Sequence, residues 1–402
     1  MHKQITSILL IAGTCIGGGT IALPMSLSKL GIIPSFILIA LIWLLTYYTS
    51  LVSVELNLQS ERGLSLGQLG QFFSGEKAKI IGDGGVKLLS YALLAVYIYG
   101  CSSTVLKLLE VSQIYKDGSL ICVETYVALV VTVILLFPMK IISVLNNISF
   151  TAFILVFLIL TAATTSLIDY NCIPWSVAPS GWNLISVITV VFTSFGYQVI
   201  FHTLRDYLGK DATAQRRVFF YGSLIPVILY MLWTGSALSA IFKTNPEFFV
   251  QMSAGRIDVG DLVNELANVS QMPAFQTLVW WMSLLAIITS ILGVGIGLSE
   301  SLNSAMKDAI PSSWIRKITV SLIIVAPAYI VAAVVPNAFI KVLGFAGAIL
   351  TVIAILLPIY LLFKANFKNI YLKELKKLPL AICAIIGVGI IVIELLVNHV
   401  MA

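Results

Sequence analysis

Charge is scarce in this chain: Asp, Glu, Lys and Arg make up 10% of its 402 residues, and histidine occurs three times. Soluble domains carry about 25% charged residues, so no water-facing shell can be assembled here. The few ionisable groups form no paired carboxylates, no metal cluster and no nucleophile–base set at one depth. A polytopic membrane enzyme would need one of these, and it stands as a lesser alternative together with a channel. Five cysteines, Cys15, Cys101, Cys122, Cys172 and Cys383, show no CxxC spacing, which leaves metal and redox readings without ligands. A disulfide between Cys122 and Cys172 is the lesser alternative to free thiols. The net charge of +6 comes with no basic stripe interleaved with aromatics, so no nucleic-acid partner is expected. The first apolar run continues to Leu30 with no A-x-A site, and a cleavable leader is not expected either.

What the chain has instead is apolar sequence, 59% of all residues. Runs of about 20 apolar residues suit the hydrocarbon thickness of a bilayer. Spans are read at 5–30, 32–57, 85–110, 121–138, 140–168, 183–207, 217–242, 275–304, 315–335, 338–363 and 379–399. The chain is therefore expected to be an all-α polytopic membrane protein of eleven helices, with a lipid bilayer as its surroundings and no cofactor. Short surface helices are expected within the polar interruption 243–274. With the N-terminus inside, eighteen of the 24 Lys and Arg residues fall on the inner side and six on the outer. The six are Lys29, Lys107, Lys116, Lys243, Arg256 and Lys341. Positive charge stays cytoplasmic, which places the N-terminus in the cytoplasm and the C-terminus outside, in the periplasm or beyond.

The first span contains IAGTCIGGGTIALP at 11–24, where Gly13, Gly17, Gly18 and Gly19 together cost a helix about 3–4 kcal/mol relative to alanine. The sixth, five spans on, contains VFTSFGYQVI at 191–200, with Thr193, Ser194, Gly196 and Gln198 inside an apolar run. Breaks in corresponding spans mark a binding site near the bilayer midplane in inverted-repeat transporters, because unwound backbone survives in a membrane only where it lines a cavity. The N–H groups of Gly17, Gly18 and Gly19 would suit a carboxylate. The carbonyls near Gly13, Thr14 and Ile16 would suit an ammonium group or a cation. The other reading of the glycines is close helix packing through small residues.

In the eighth span, Thr289 and Ser290 either bond their own helix or supply oxygens to sodium. His202, one turn beyond Gln198, either relays a proton or is a bonded vestibule histidine. Tyr91, Tyr97 and Tyr99 of the third span either flank a pocket or are interfacial and packing tyrosines. Glu55, Arg205, Asp206 and Glu300 lie near inner helix ends, as gate ion pairs or snorkelling chains, and Glu394 is read as interfacial.

IAGTCIGGGTIALP resembles the first-span signature of the bacterial tryptophan/tyrosine permeases, the hydroxy and aromatic amino acid permease family. FTSFGYQ (192–198), RDYLGKD (205–211) and RRVFFYGSLIPVILYMLW (216–233) are similar to its sixth and seventh spans. ITSILGVGIGL (288–298) and VLGFAGAILTVIAILLP (342–358) resemble its eighth and tenth. The resemblance implies the LeuT-like fold of the amino acid–polyamine–organocation superfamily, with helices 1 and 6 broken at mid-membrane. Residues 1–168 would form one five-helix repeat, 183–363 its inverted counterpart and 379–399 an additional helix. It further implies proton-driven import of tyrosine, tryptophan or phenylalanine across the bacterial cytoplasmic (inner) membrane, and a monomer is compatible with that role. By position, Thr14, Gly17, Gly18, Gly19 and Thr20 match the segment holding the substrate's amino and carboxylate groups. Thr193, Ser194, Phe195, Gly196 and Tyr197 match the segment beside its side chain. Gln198 stands where the family often has histidine, which removes one candidate proton acceptor. Gly13, Ile16, Ala286, Thr289 and Ser290 resemble the second sodium site of sodium-coupled members of the fold. Na+ is therefore the alternative to H+, for the same or another neutral amino acid.

Overall fold

The computed structural model describes residues 2–60, 62–115, 118–169, 172–177, 183–335, 337–365 and 370–400. Lys116 and Lys368, two of the charges used to orient the chain, lie outside the described residues. The first apolar run forms two helices, α1 (His2–Cys15) and α2 (Gly19–Leu27), which meet at a bend of 53°. Then come α3 (Ile32–Leu58), a short α4 (Leu66–Ser74), the long α5 (Glu76–Val111), α6 (Leu120–Leu136) and α7 (Met139–Ser166). Ser65 and Gln68 cap α4 reciprocally; this starts the helix where the chain turns back after α3.

The second half begins with α8 (Asn183–Thr193), which gives way to a 3₁₀ turn over Gly196–Ile200 and then α9 (Phe201–Leu208). It continues through α10 (Ala212–Thr244), α11 (Pro246–Ser253), α12 (Val259–Asn268), α13 (Pro273–Ala305) and α14 (Ser313–Val334). The short helices expected between 243 and 274 are thus α11 and α12. Next, α15 (Ala338–Thr351) passes through a π turn at Val352–Leu356 into α16 (Leu357–Lys364), and α17 (Lys377–Val400) ends the described chain. Pro358 lies just beyond the π turn. Proline lacks the N–H that would close an ordinary turn there, so the widened turn has a local cause.

Among the described residues, nine helices are long and apolar enough to cross a membrane, the bent α1–α2 pair makes a tenth, and α6 is a shorter apolar helix. Their burial differs with position. In the span Ala338–Lys364, 83% of the apolar window is buried, against 28% in Met139–Ser166 and in Lys377–Leu396. The first is central and the other two peripheral. Peripheral faces stay apolar: Ile33, Ile37, Leu41 and Leu44 of α3 all lie exposed on one side, as lipid-facing positions at helical spacing do. Inside, α2 packs on α8 and α10, α8 on α15 and α17, and α13 on α5 and α7. The two interrupted spans therefore meet through α2 and α8, the first lying against α10 and the second against α15 and α17.

Candidate functional site

At the first break the helical ladder stops with the Ile16 N–H donating to the Ala12 carbonyl, and restarts as Thr20 N–H donates to Gly17 O at 2.9 Å. The Thr20 hydroxyl also donates to Gly17 O, at 2.8 Å. Gly18 keeps ordinary helical angles, φ −54° and ψ −24°, so its glycine is not there for backbone freedom. Space is the reason. A Cβ on Gly17 would lie 2.9 Å from Ser290 Oγ, on Gly18 2.5 Å from a Tyr97 ring carbon, and on Gly19 2.9 Å from Ser194 Oγ. Side chains from α13, α5 and the second break close on three faces of the segment, as small-residue packing allows. The Gly18 N–H donates to Ser290 Oγ at 3.3 Å, so the three glycine N–H groups are not all bare, and a carboxylate there displaces or shares the serine.

The carbonyl freed at the end of α1 is not left to lipid either. The Tyr230 hydroxyl of α10 donates to Cys15 O at 2.6 Å and lies 3.2 Å from Ser194 O, a carbonyl of the second break. One turn on, Trp233 Nε1 donates to Thr20 O at 2.6 Å. Neither residue was singled out from sequence, where they read as ordinary members of an apolar helix.

At the second break, Ser194 N–H reaches back to the Val190 and Val191 carbonyls at 3.2 Å each, and the chain then tightens into the 3₁₀ turn. The Thr193 hydroxyl donates to Thr189 O at 2.7 Å and lies 3.2 Å from Leu343 O on α15. A softer interruption results than at the first break, with no comparable bend.

A cavity of about 820 Å³ joins the two breaks. Gly13, Thr14, Ile16, Gly17, Gly18, Gly19, Tyr97, Thr193, Ser194, Gly196, Gln198, His202, Thr289 and Ser290 line it. Four residues singled out from sequence sit behind its wall. Thr20 is turned onto Gly17. Phe195 packs edge-on against Tyr230 at 5.6 Å. Tyr197 is fully buried against Phe219, with its hydroxyl beside Thr46, Ser50 and Ser223. Ala286 is fully buried, and its carbonyl accepts from both the Thr289 and Ser290 hydroxyls, at 3.1 and 2.8 Å. The aromatic wall comes instead from Tyr97, Phe150 and Phe201. Phe150 approaches so closely that a Cβ on Gly13 would sit 2.8 Å from its ring.

The lining runs on to Asp83 and Lys87 at one end of α5, and to Asn146, Asn147 and Ser301. Further along α5, about 24–36 Å from Asp83 at 1.5 Å per residue, the helix is bonded to α12. There Tyr99 and Ser103 donate to Asp258 at 2.9 and 3.0 Å, and Lys107 pairs with Asp261 at 2.8 Å. These bonds hold α12 down on α5.

Of the residues read as gate pairs or snorkelling chains, Glu300 is exposed near the end of α13, and Glu55, Arg205 and Asp206 bond to backbone groups. Glu55 is fully buried and accepts the backbone N–H groups of Tyr371 and Leu372, anchoring the link that leads into α17. Arg205 donates to the Asn57 and Ser60 carbonyls, and Asp206 accepts the Gly63 N–H at 2.6 Å. Glu394 is not interfacial: it is 2% exposed, accepts from Thr189 on α8 at 2.9 Å and lies against Gly344. All five cysteines are free, with Cys122 and Cys172 both exposed.

Comparison with known proteins bears on what the cavity holds. The sequence profile of the tryptophan/tyrosine permease family matches residues 1–396. The tyrosine-specific transport system 1 of Haemophilus influenzae is 27% identical, the match covering 91% of this chain and 89% of the relative. The low affinity tryptophan permease of Escherichia coli (strain K12) is 24% identical over 91% of this chain and 88% of the relative. The glutamine transporter 2 of Aliivibrio fischeri is also 24% identical, over 98% of this chain and 99% of the relative.

Proposed function

The chain belongs to the tryptophan/tyrosine permease family, and from that premise we propose that it imports an aromatic amino acid together with a proton. It is a multi-pass membrane transporter and not an enzyme. The observation that carries the substrate reading is the cavity at which both interrupted spans meet. Its 820 Å³ falls in the range that suits a small ligand, about 300–1,000 Å³. One end of that cavity offers backbone groups for the zwitterion. Tyr97, Phe150 and Phe201 offer ring faces for the side chain, and aromatic pairs favour such offset or edge contacts.

Counting the nine long apolar helices, the bent pair and α6 gives eleven spans, in a LeuT-like arrangement. On this reading residues 1–168 form one five-span repeat, 183–363 its inverted counterpart and 379–399, within α17, an addition. Breaks in spans one and six support it. In the charge-based orientation, with the N-terminus inside the bacterial inner membrane, the end of the cavity at Asp83 and Lys87 faces the cytoplasm. The bonds from Tyr99, Ser103 and Lys107 to α12 then close the outer side. Alternating access requires a second state in which those bonds part and the inner end closes. Substrate and ion must both favour the occluded form for coupling to arise.

Proton coupling is preferred to sodium because His202, a side chain type able to carry a proton near neutral pH, lines the cavity and is the candidate proton carrier. The hydroxyls of Thr289 and Ser290 donate to their own helix, at Leu285 O and Ala286 O, and their remaining lone pairs keep Na+ as the alternative. The test is initial-rate uptake into proteoliposomes, with twenty labelled amino acids and the two gradients imposed separately. An inward proton gradient should raise tyrosine uptake several-fold, and an inward sodium gradient at equal pH should leave it unchanged. Uptake that needs sodium and ignores pH would transfer coupling to the Thr289 site, and Thr289→Ala would then be the damaging change. Glutamine uptake without aromatic uptake would replace the substrate assignment.

A further inference from the structure

Gln198 occupies the 3₁₀ turn of the second break, lines the cavity and is 3% exposed. Its Nε2 donates to the Thr46 carbonyl at 2.8 Å and to the Thr49 hydroxyl oxygen at 3.0 Å. A backbone carbonyl only accepts, so the amide nitrogen must face α3 and the alternative flip is excluded. Gln198 Oε1 is thereby committed to the other direction, where no donor among the described residues reaches it.

The cavity's other hydroxyls do not supply one. Thr14 donates to Leu10 O, Thr193 to Thr189 O, Ser194 to Val190 O, Thr289 to Leu285 O and Ser290 to Ala286 O. Ser53 is the exception in the same wall. It is 1% exposed, lines the cavity and has an Oγ with no partner among the described residues. It follows Thr49 by four residues, which puts it on the same face of α3, one turn along. The structure therefore brings together a buried acceptor that lacks a donor and a buried hydroxyl that lacks any partner.

We infer that Gln198 Oε1 and Ser53 Oγ form the subsite for a phenolic hydroxyl, making tyrosine the preferred substrate. The phenol O–H donates to Gln198 Oε1, and its oxygen accepts from the Ser53 hydroxyl. The indole N–H of tryptophan satisfies the glutamine alone. Phenylalanine satisfies neither, and a buried polar group left unpaired costs more than a made bond returns. The inference rests on the proposed aromatic substrate and adds the side-chain contact that ranks its members.

The experiment uses the full-length chain in proteoliposomes and measures competition against labelled tyrosine by tyrosine, O-methyltyrosine, tryptophan and phenylalanine. Phenylalanine should need a concentration about 10- to 100-fold higher than tyrosine to compete equally. O-Methyltyrosine, which keeps the acceptor for Ser53 and loses the donor for Gln198, should fall between tyrosine and phenylalanine. In Gln198→Met the tyrosine-to-phenylalanine ratio should collapse towards unity, and in Ser53→Ala it should fall part of the way. Equal competition by tyrosine and phenylalanine in the unmodified chain overturns this inference and leaves the aromatic assignment standing. So does an unchanged ratio in both variants. A folded chain that takes up none of the three overturns the proposed function, and this inference with it.

Discussion

A chain carrying Gly18→Leu is expected to insert in the membrane at normal levels and to take up tyrosine no faster than empty vesicles. Insertion should survive because Gly18 has helical angles that leucine adopts readily, and leucine favours a helix by close to 1 kcal/mol over glycine. Transport should not survive, because the obstacle is spatial. The first added carbon already lies 2.5 Å from a Tyr97 ring carbon, well inside contact distance, and leucine brings three more. Tyr97 is itself part of the cavity wall, so the ring can yield only by moving into the space a substrate needs. Gly18→Ala should show an intermediate loss, since one methyl asks only for a shift of the ring. Initial uptake rates normalised to the monodisperse protein recovered in detergent check both. Wild-type uptake by Gly18→Leu would remove the glycine run from the transport site.

The same glycine run illustrates how far the sequence reached. Apolar runs give the spans directly, since a bilayer imposes length on a helix, and polar or glycine-rich interruptions in two of them give the location of the cavity. Its reason was less legible. Gly17, Gly18 and Gly19 look like helix breakers, yet none of them has a positive φ, and each instead admits a side chain from a different helix. Those neighbours, Ser290, Tyr97 and Ser194, lie far away in sequence, so local pattern carries no trace of them. Tyr197 shows a second kind of loss. The resemblance puts it beside the substrate's side chain, but its ring is fully buried against Phe219 of α10, a contact 22 residues on in the sequence that no local pattern announces. Glu394 shows a third. A carboxylate near the end of an apolar helix reads as interfacial, and only the packing of α17 against α8 and α15 covers it.

Tyr230→Phe should lower uptake per folded molecule by roughly tenfold and reduce thermal stability at the same time, through the loss of one oxygen atom. The substitution keeps the ring, so the edge-on contact with Phe195 at 5.6 Å is retained and no cavity forms. What it removes is the bond to Cys15 O at 2.6 Å and the contact with Ser194 O at 3.2 Å. Both carbonyls are released by helix breaks, one from each interrupted span, and Tyr230 is fully buried, where lipid and packed side chains provide no substitute donor. Leaving buried carbonyls unpaired costs about 1–3 kcal/mol. If the two breaks must keep a fixed relation to hold one substrate between them, the hydroxyl that touches both sets that relation. Positioning errors of an ångström at a binding site are enough to cost orders of magnitude. A purely structural tyrosine would give a different pattern: fewer folded molecules, each transporting at the normal rate. Uptake normalised to folded protein, read beside the melting temperature in the same detergent, separates the two. Unchanged normalised uptake in Tyr230→Phe would show that the breaks hold their geometry without α10.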